Sequence, residues 1–262
     1  MTAAIASLRG FLRGRAGIAL GEDKDYLVVS RLGPRLSAWG VPDLAGLAQA
    51  VAQQPAGTLA AQVVAALTTN ETLFFRDTRP FETLRGIARY AAAGGGLAIW
   101  SAACSTGQEV YSIAMTLQDA DLPRPCRLTL LASDISEPAV ARARRGLYTS
   151  FEVQRGLAPA HLARHFLARE DGWEVRPELR ANITFRILNL LELPSGLGPF
   201  DVVFCRNVLI YFDTDVKSRV LAAIRDRMRP GGWLFLGGAE TTMGVTVDFV
   251  PVPGANGTYR RR

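Results

Sequence analysis

The chain has 262 residues, 48% of them hydrophobic, which is enough apolar material for one sizeable core or for a core plus a small satellite domain. Its 30 Lys and Arg against 24 Asp and Glu leave a net charge of +6, which suits an acidic partner without singling out nucleic acid. Cys104, Cys126 and Cys205 stand alone with no C-x-x-C pair, which argues against a disulfide framework or a zinc site and for a reduced, cytosolic setting.

The opening MTAAIASLRGFLRGR lacks the apolar run of a secretory signal. No later stretch reaches the roughly 18 apolar residues of a membrane span, so neither export nor membrane insertion is expected. Up to about residue 70 the pattern is helical. Val29, Leu32, Leu36 and Gly40 fall on one helical face and Lys24, Arg31 and Arg35 on another, with Pro34 expected to kink the helix between them. Leu44, Leu47 and Val51, then Val63, Val64 and Leu67, predict two further short helices. TTNETLFFRDTRPF (68–81) reads as a connector with polar caps and buried aromatics. The chain therefore divides into a helical domain at 1–68, a linker at 69–80 and a larger domain at 81–262, with AAAGGG (91–96) its one low-complexity tract.

From about residue 97 strands and helices alternate. LAIWSA (97–102) is a strand, followed by a helix that buries Val110, Ile113, Ala114 and Leu117. LTLLAS (128–133) is a second strand, followed by SEPAVARARR with Ser136 as N-cap and Pro138 in the first turn. ITFRIL (183–188) and DVVFC (201–205) are the third and fourth. TDVKSRVLAAIRDRMRPGG predicts a helix burying Val216, Val220, Leu221, Ile224 and Met228 and stopping at Pro230-Gly231, before a fifth strand WLFLGG (233–238). FVPV and TYRR predict a closing antiparallel hairpin. Apolar, non-alternating strands separated by helices imply an α/β protein with a parallel sheet covered on both faces.

In such a sheet, ligands lie beyond the carboxyl ends of the strands at the switch point. WSAACSTGQEVYS (100–112) is such an end, and its small residues admit a ligand close to the backbone. Ser105 with Gln108, or Thr106 with Glu109, has capping-box spacing, which leaves Glu109 open between a cap and a ligand contact. The loop has one glycine, Gly107, and no G-x-G-x-x-G, which disfavours a pyrophosphate ligand. Asp134 ends the second strand, where an acid accepts hydrogen bonds from ribose hydroxyls. Asn189 and Leu190 follow the third strand; by pattern alone they read as a turn residue and a core leucine. Arg206, Asn207 and Tyr211 in CRNVLIYF interleave polar groups with core residues at the same edge, which a packed strand end with a surface Arg would also produce. Arg76 directly follows Phe74 and Phe75, either as an ordinary snorkelling Arg or as an anion clamp. His161 and His165 are spaced i, i+4 with no Cys, Asp or Glu nearby in sequence to complete a set, so no metal is expected. Cys205 reads as a small buried hydrophobe. These residues describe a site for a nucleoside without phosphates, and S-adenosylmethionine is the common cofactor of that kind.

Several segments taken together, in order along most of the chain, resemble one family. RAGIAL, ALTTNETLFFRD, IWSAACSTGQEVYSIAMTL, ASDIS, ARRGLY, NLLE, PFDVVFCRNVLIYF and GGWLFLGGAE are similar to the chemotaxis-type protein-glutamate O-methyltransferases, the CheR family. The resemblance implies an all-helical N-terminal domain joined to a class I, Rossmann-like, S-adenosylmethionine-dependent methyltransferase sheet. It also implies a small antiparallel β subdomain inserted at about 148–182, with HFLARE and GWEVRPE as its strands. It places Asn70, Thr72, Arg76, Glu109, Asp134, Asn189, Leu190, Arg206 and Asn207 around the cofactor, Asp134 at the ribose and Asn189 and Leu190 near the adenine. The implied reaction moves a methyl group to a glutamate of a chemoreceptor's cytoplasmic coiled coil and leaves S-adenosylhomocysteine and a methyl ester.

A glutamate, with a pKa of about 4.3, is already ionised at neutral pH, so that reaction needs no general base, and none stands out in the sequence. Arg76 and Tyr211, in the two most specific motifs, are the residues expected to hold the acceptor or cofactor and to line the path of the methyl group. Lys24, Arg31 and Arg35, with Arg13 and Arg15 nearby, form a basic stripe that read alone is a solvated helix face; beside an acidic coiled coil it becomes a docking surface. The turn REDGW is shorter than in those relatives that grip a receptor's C-terminal peptide, which favours recognition without a tether. Two rival readings are weighed. A methyltransferase for another acceptor is disfavoured by the absence of a [DN]PP[YF] motif, and a non-catalytic cofactor-binding module by the full set of pocket residues. Nothing in the sequence demands more than a monomer.

Overall fold

The computed structural model describes residues 1–92, 96–120, 122 and 126–262; residues 93–95 of the AAAGGG tract lie outside the described residues. The chain begins with α1 (Thr2–Ala16), whose buried Ile5, Leu8, Leu12 and Ala16 recur at helical spacing. It ends at Gly17, where φ is 74° and the amide turns back to the Arg13 carbonyl. Then come α2 (Asp25–Leu32), α3 (Leu44–Gln53), capped by Asp43 accepting from the Gly46 amide, and α4 (Thr58–Leu67). Their apolar faces close into one cluster, with Leu8, Leu12, Val28, Leu32, Leu47 and Val63 at its centre.

The expected face of Val29, Leu32, Leu36 and Gly40 does not form. Val28 and Leu32 face the core, whereas Val29 is 41% exposed. Pro34 has no N–H to donate to the Ser30 carbonyl, so the α-helical ladder of α2 ends at Leu32 and a 3-10 turn over Gly33–Arg35 follows. The 3.6-residue phase is not carried across that break, and Leu36 and Gly40 lie outside the helix.

The second part contains, in chain order, α5 (Arg79–Ala92), β1 (Gly96–Ala102), α6 (Gln108–Gln118), β2 (Arg127–Asp134), α7 (Glu137–Arg145), β3 (Leu147–Tyr148), α8 (Ser150–Gln154), α9 (Pro159–His165), β4 (Phe166–Arg169), β5 (Gly172–Val175), α10 (Pro177–Arg180), β6 (Ile183–Ile187), β7 (Phe200–Phe204), α11 (Thr214–Asp226), β8 (Met228–Phe235), β9 (Phe249–Pro251) and β10 (Thr258–Arg261). Among the described residues the large sheet runs β6-β2-β1-β7-β8-β10-β9. The first five of these are parallel, and β10 is antiparallel to both β8 and β9. The fold is thus the expected Rossmann-like α/β sheet preceded by a helical domain. The strand order reverses between β1 and β7, which makes their carboxyl ends the switch point. Apolar clusters cover both faces. Ile99, Val110, Ile113, Val202 and Phe204 belong to one, and Trp100, Leu131, Val203, Val220 and Leu234 to the other.

Two expectations at the end of the chain are corrected. Helix α11 buries Val216, Val220, Leu221 and Ile224 but ends at Asp226, short of Pro230-Gly231. Met228 is buried as the first residue of β8, opposite Phe200. The next pair is Val202 with Trp233, so Arg229–Gly232 bulge out of the ladder. Pro230, which lacks an N–H, and Gly231, with φ of 71°, occupy a bulge where a regular strand would accept neither.

The inserted subdomain has β4 and β5 where expected, but its sheet runs β3-β5-β4, with Leu147–Tyr148 as a third strand that the sequence pattern is too short to reveal. The predicted RPE end of the second strand leaves the sheet, and Pro177 opens α10. Glu170 and Asp171 alone form the β4–β5 turn.

The core assignment of α2 has a direct consequence. Leu32→Ala is expected to cost about 2–5 kcal/mol in urea unfolding. Val29→Ala, one turn away on the exposed side, should stay within about 0.5 kcal/mol of the parent.

Candidate active site

The turn between β1 and α6 sits at the switch point, and its backbone is bent to fit there. Ala103 and Ser105 are left-handed, with φ of 62° and 52°, conformations that L side chains adopt at a cost and that cluster at functional sites. Gly107 has φ of 100°, and a Cβ there would lie 2.8 Å from the Tyr148 hydroxyl and 2.9 Å from Ala143 Cβ. The turn is held by its neighbours: the Cys104 amide donates to Ser133 O at 2.8 Å, and Ser105 Oγ donates to Asn70 O at 3.0 Å. Tyr148 Oη donates to Thr106 O at 2.8 Å.

Neither capping box forms. Gly107 is the N-cap of α6 and makes no side-chain cap bond, and Thr106 Oγ1 lies 2.8 Å from Gln108 Oε1 instead. The Glu109 side chain is thereby free of a capping role and faces inward. Its Oε1 accepts from Ser101 Oγ at 2.8 Å, and its Oε2 accepts from Arg206 Nη1 at 3.2 Å. Burial pushes the Glu109 pKa up, against the opposing pull of the Arg206 charge.

Arg206 follows β7 and is a buried hub rather than a surface Arg, its side chain 2% exposed. Its Nη2 donates to Arg76 O and to Asp77 Oδ2, both at 2.7 Å, and its guanidinium stands 5.9 Å from the Phe81 ring centre. The connector is threaded around it. Phe75 and Asp77 are left-handed, with φ of 48° and 56°. That twist sends Phe74 and Phe75 into the sheet core and leaves Arg76 facing the cavity. The contact of Arg76 Nη1 with Glu71 O is long, at 3.5 Å. The Phe75 amide donates to Ser112 Oγ at 2.9 Å, which fixes the connector to α6.

Asp134 closes β2. Its Oδ2 accepts from the Ser105 amide at 2.8 Å and its Oδ1 from the Ser136 amide at 2.9 Å. Burial raises its pKa, and the amides of Ser136 and Ser105 partly offset that rise. Asn189 Nδ2 donates to Arg15 O at 2.8 Å, so this residue also meets the helical domain. Nearby, the Ala19 amide donates to Tyr211 O at 2.9 Å, and Ile18 pairs with Phe212 as an isolated bridge.

Asn70, Thr72, Arg76, Glu109, Asp134, Asn189, Leu190, Arg206, Asn207 and Tyr211 all line one cavity of about 290 Å³. Its roof comes from the helical domain, through Ile18, Leu20, Leu27 and Lys24. Sequence reading did not find the roof, because an apolar residue facing a ligand has the same pattern as one facing a core. It also missed Ser101 and Asp77, which answer the buried charges. Glu240 was missed too: it is buried and accepts from the amides of Asn207, Ile210 and Gly237. An acid two residues after a Gly-Gly at a strand end was the available signal.

Arg31, expected in a basic stripe, also lines the cavity. Its guanidinium turns onto the end of α4, with Nη1 donating to Leu67 O at 2.8 Å and Thr68 O at 3.1 Å. Arg13 and Arg15 pair with Asp213 and Glu192 of the sheet domain, each at 2.6 Å. His161 and His165 converge on an acid distant in sequence, Asp119, at 3.6 and 3.3 Å, beside Arg164 at 3.1 Å. Among the described residues no group of three or more His, Cys, Asp or Glu is arranged to hold a metal. Cys205 is fully buried, and burial raises its thiol pKa.

Comparison with known proteins agrees with this geometry. Residues 3–68 match the family described as CheR methyltransferase, all-alpha domain, and residues 70–257 match CheR methyltransferase, SAM binding domain. The chain is 44% identical to the chemotaxis protein methyltransferase Cher2 of Pseudomonas putida over 90% of each chain. It is 45% identical to chemotaxis protein methyltransferase 1 of Pseudomonas aeruginosa over 88% of each. With chemotaxis protein methyltransferase 1 of Vibrio cholerae it shares 41% identity over 91% of this chain and 89% of that one. The chain belongs to the CheR methyltransferase family, and its cofactor is S-adenosylmethionine.

The residues present fit that cofactor. Each oxygen of Asp134 accepts one backbone amide, which leaves lone pairs for hydroxyl donors. Glu109 offers an anion to a cationic amine, Arg76 a cation to a carboxylate, and Ile135, Leu188 and Leu190 apolar walls to a flat base.

The raised pKa of Asp134 sets a sign for pH dependence. Its contribution to stability is full below the unfolded carboxyl's pKa and is lost as pH rises through the higher folded value. Urea midpoints should therefore shift in favour of Asp134→Asn, relative to the parent, as pH rises from about 4 to 7. A gap that is constant with pH would show that Asp134 ionises as freely folded as unfolded.

Proposed function

We propose that this CheR-family methyltransferase esterifies glutamate side chains on the cytoplasmic helices of chemoreceptors. The carrying observation is the cavity's inventory. Among its lining residues there is no histidine, and its two buried acids are committed, Glu109 to Ser101 and Arg206 and Asp134 to backbone amides. A site with no histidine and no uncommitted buried acid suits an acceptor that is already an anion at neutral pH.

When bound, S-adenosylmethionine supplies a methyl group on a cationic sulfur, open to attack by a carboxylate oxygen. Asp134 would take the ribose hydroxyls, Asn189 and Leu190 would border the adenine, and Glu109 would face the methionine amine. Arg206 and Asn207, with Asn70 and Thr72 of the connector, would complete the enclosure. Arg76 is assigned to hold a carboxylate at the mouth and Tyr211 to line the path between acceptor and methyl group. The protein's contribution is to strip water from the acceptor and aim it, and orientation of this kind is worth up to roughly 7–11 kcal/mol of a barrier.

Docking on an acidic coiled coil would use the exposed Lys24 and Arg35; Arg31 supports that surface from within through its bonds to Leu67 and Thr68. The short acidic turn at Glu170-Asp171 supports recognition without a peptide tether. The free thiols Cys104, Cys126 and Cys205 suit a reducing cytoplasm. Among the described residues no helix is long and apolar enough to cross a membrane.

Methyl transfer from radiolabelled cofactor to receptor cytoplasmic fragments should place base-labile label on glutamate. Base-stable label would identify another acceptor, and S-adenosylhomocysteine binding without any label would mean that the wrong acceptor was offered or that catalysis is lost. Arg76→Ala should lose turnover at saturating cofactor and receptor; wild-type turnover would remove Arg76 from its assigned role. The KM for receptor should rise with salt between about 0.1 and 0.2 M, where exposed charges are screened over roughly 8–10 Å. A salt-independent KM would exclude docking through Lys24 and Arg35.

A further inference from the structure

We infer that Glu240 is a positioning residue for methyl transfer: its carboxylate holds the Asn207–Tyr211 segment in the shape that presents Asn207 and Tyr211 to the cavity. This rests on the reading that Tyr211 lines the path of the methyl group.

Glu240 lies beyond the end of β8, the strand next to β7, and it is buried. Its Oε2 accepts from the Asn207 amide at 2.7 Å and from the Gly237 amide at 2.6 Å, and its Oε1 accepts from the Ile210 amide at 3.2 Å. The Asn207 and Ile210 amides thus donate to this side chain, and both belong to the segment that must turn sharply after β7. Asn207 makes that turn in a left-handed conformation, with φ of 58°, and a 3-10 turn over Leu209–Tyr211 follows. A carboxylate that accepts several amides is a strong, direction-fixing contact.

The local sequence makes room for it. A Cβ on Gly237 would fall 2.6 Å from Asn207 Nδ2 and 2.8 Å from Glu240 Oε2, so a bare backbone is required where the three residues meet. Arg206, by contrast, is held by Glu109, Arg76 O and Asp77, none of which is hydrogen-bonded to Glu240. Asp134 and Asn189 are likewise fixed by other partners. Removing the Glu240 charge should therefore disturb the acceptor side of the cavity while leaving most of the cofactor's contacts in place.

Glu240→Gln keeps the shape but turns an N–H donor toward amides that need an acceptor. In the full-length protein, kcat is expected to fall about 10- to 100-fold, the scale of a reacting group misplaced by an ångström. The KM for cofactor and the calorimetric Kd for S-adenosylhomocysteine should change far less, by no more than about threefold, because of the cofactor's assigned contacts only Asn207 hangs on Glu240. Hydrogen exchange at the Asn207 and Ile210 amides should accelerate in the variant while α6 and β1 remain protected. Wild-type kcat in a folded Glu240→Gln, or equal losses in kcat and cofactor affinity, would overturn the inference. Should that variant fail to fold, Glu240→Asp and the parent decide. Wild-type kcat in Glu240→Asp, or unprotected Asn207 and Ile210 amides in the parent, would overturn it. Tyr211→Ala in parallel separates the two readings: wild-type kcat there removes the role of Tyr211, whereas Glu240 is judged on its own variants.

Discussion

The guanidinium of Arg206 is withdrawn from water, and the groups around it are arranged to answer its charge. A buried cation without partners is prohibitive, and removing one partner from a buried pair typically costs about 3–5 kcal/mol. Glu109 from α6, Asp77 from the connector and the carbonyl of Arg76 supply the partners. Because they come from separate parts of the chain, satisfying one charge fixes the floor of the cavity and the path of the connector together. The left-handed Phe75 and Asp77 are a consequence of that path, and so is the opposite facing of Phe74 and Arg76.

The helical domain is joined to the sheet domain by a different kind of contact. Arg13–Asp213 and Arg15–Glu192 are exposed pairs, which contribute little to stability and are screened by salt. The bridge of Ile18 with Phe212, the bond from the Ala19 amide to Tyr211 O and the bond from Asn189 to Arg15 O are backbone-centred and specific in geometry. They tie the roof to three residues of the cavity wall, Asn189, Tyr211 and Phe212, so the enclosure of the site depends on both domains at once.

The acids of the site divide by environment. Glu109 and Asp134 are buried and their ionised forms disfavoured, which makes each ready to gain from a cationic or hydroxylic ligand. Glu240, of the same chemical type, accepts three backbone amides and braces the backbone beside the site. A chemistry that transfers a methyl group to a carboxylate needs charges placed around the reactants more than it needs a proton acceptor. The lining of this cavity has that character.

Much of the fold was legible in the chain because hydrophobic periodicity is a local record of burial. The apolar runs at 97–102, 128–133, 183–188 and 201–205 and the spacings in α6 and α11 needed no distant information. Where local rules failed, a tertiary demand had overridden them. Met228 left its helix to pair with Phe200, Pro230-Gly231 became a bulge instead of a stop, and the Thr106–Glu109 capping spacing yielded to the call of Arg206 on Glu109. The residues around the cavity were identifiable by type and motif, but their partners were not. That His161 and His165 share Asp119, that Arg31 turns inward, and that Glu240 braces Asn207 are facts about strand order and domain closure. The sequence by itself determined the main helices and strands and which side chains have chemistry to offer, because both are properties of short stretches. Only the tertiary structure decided which charges meet, because a buried charge takes its partner from whatever the topology brings beside it.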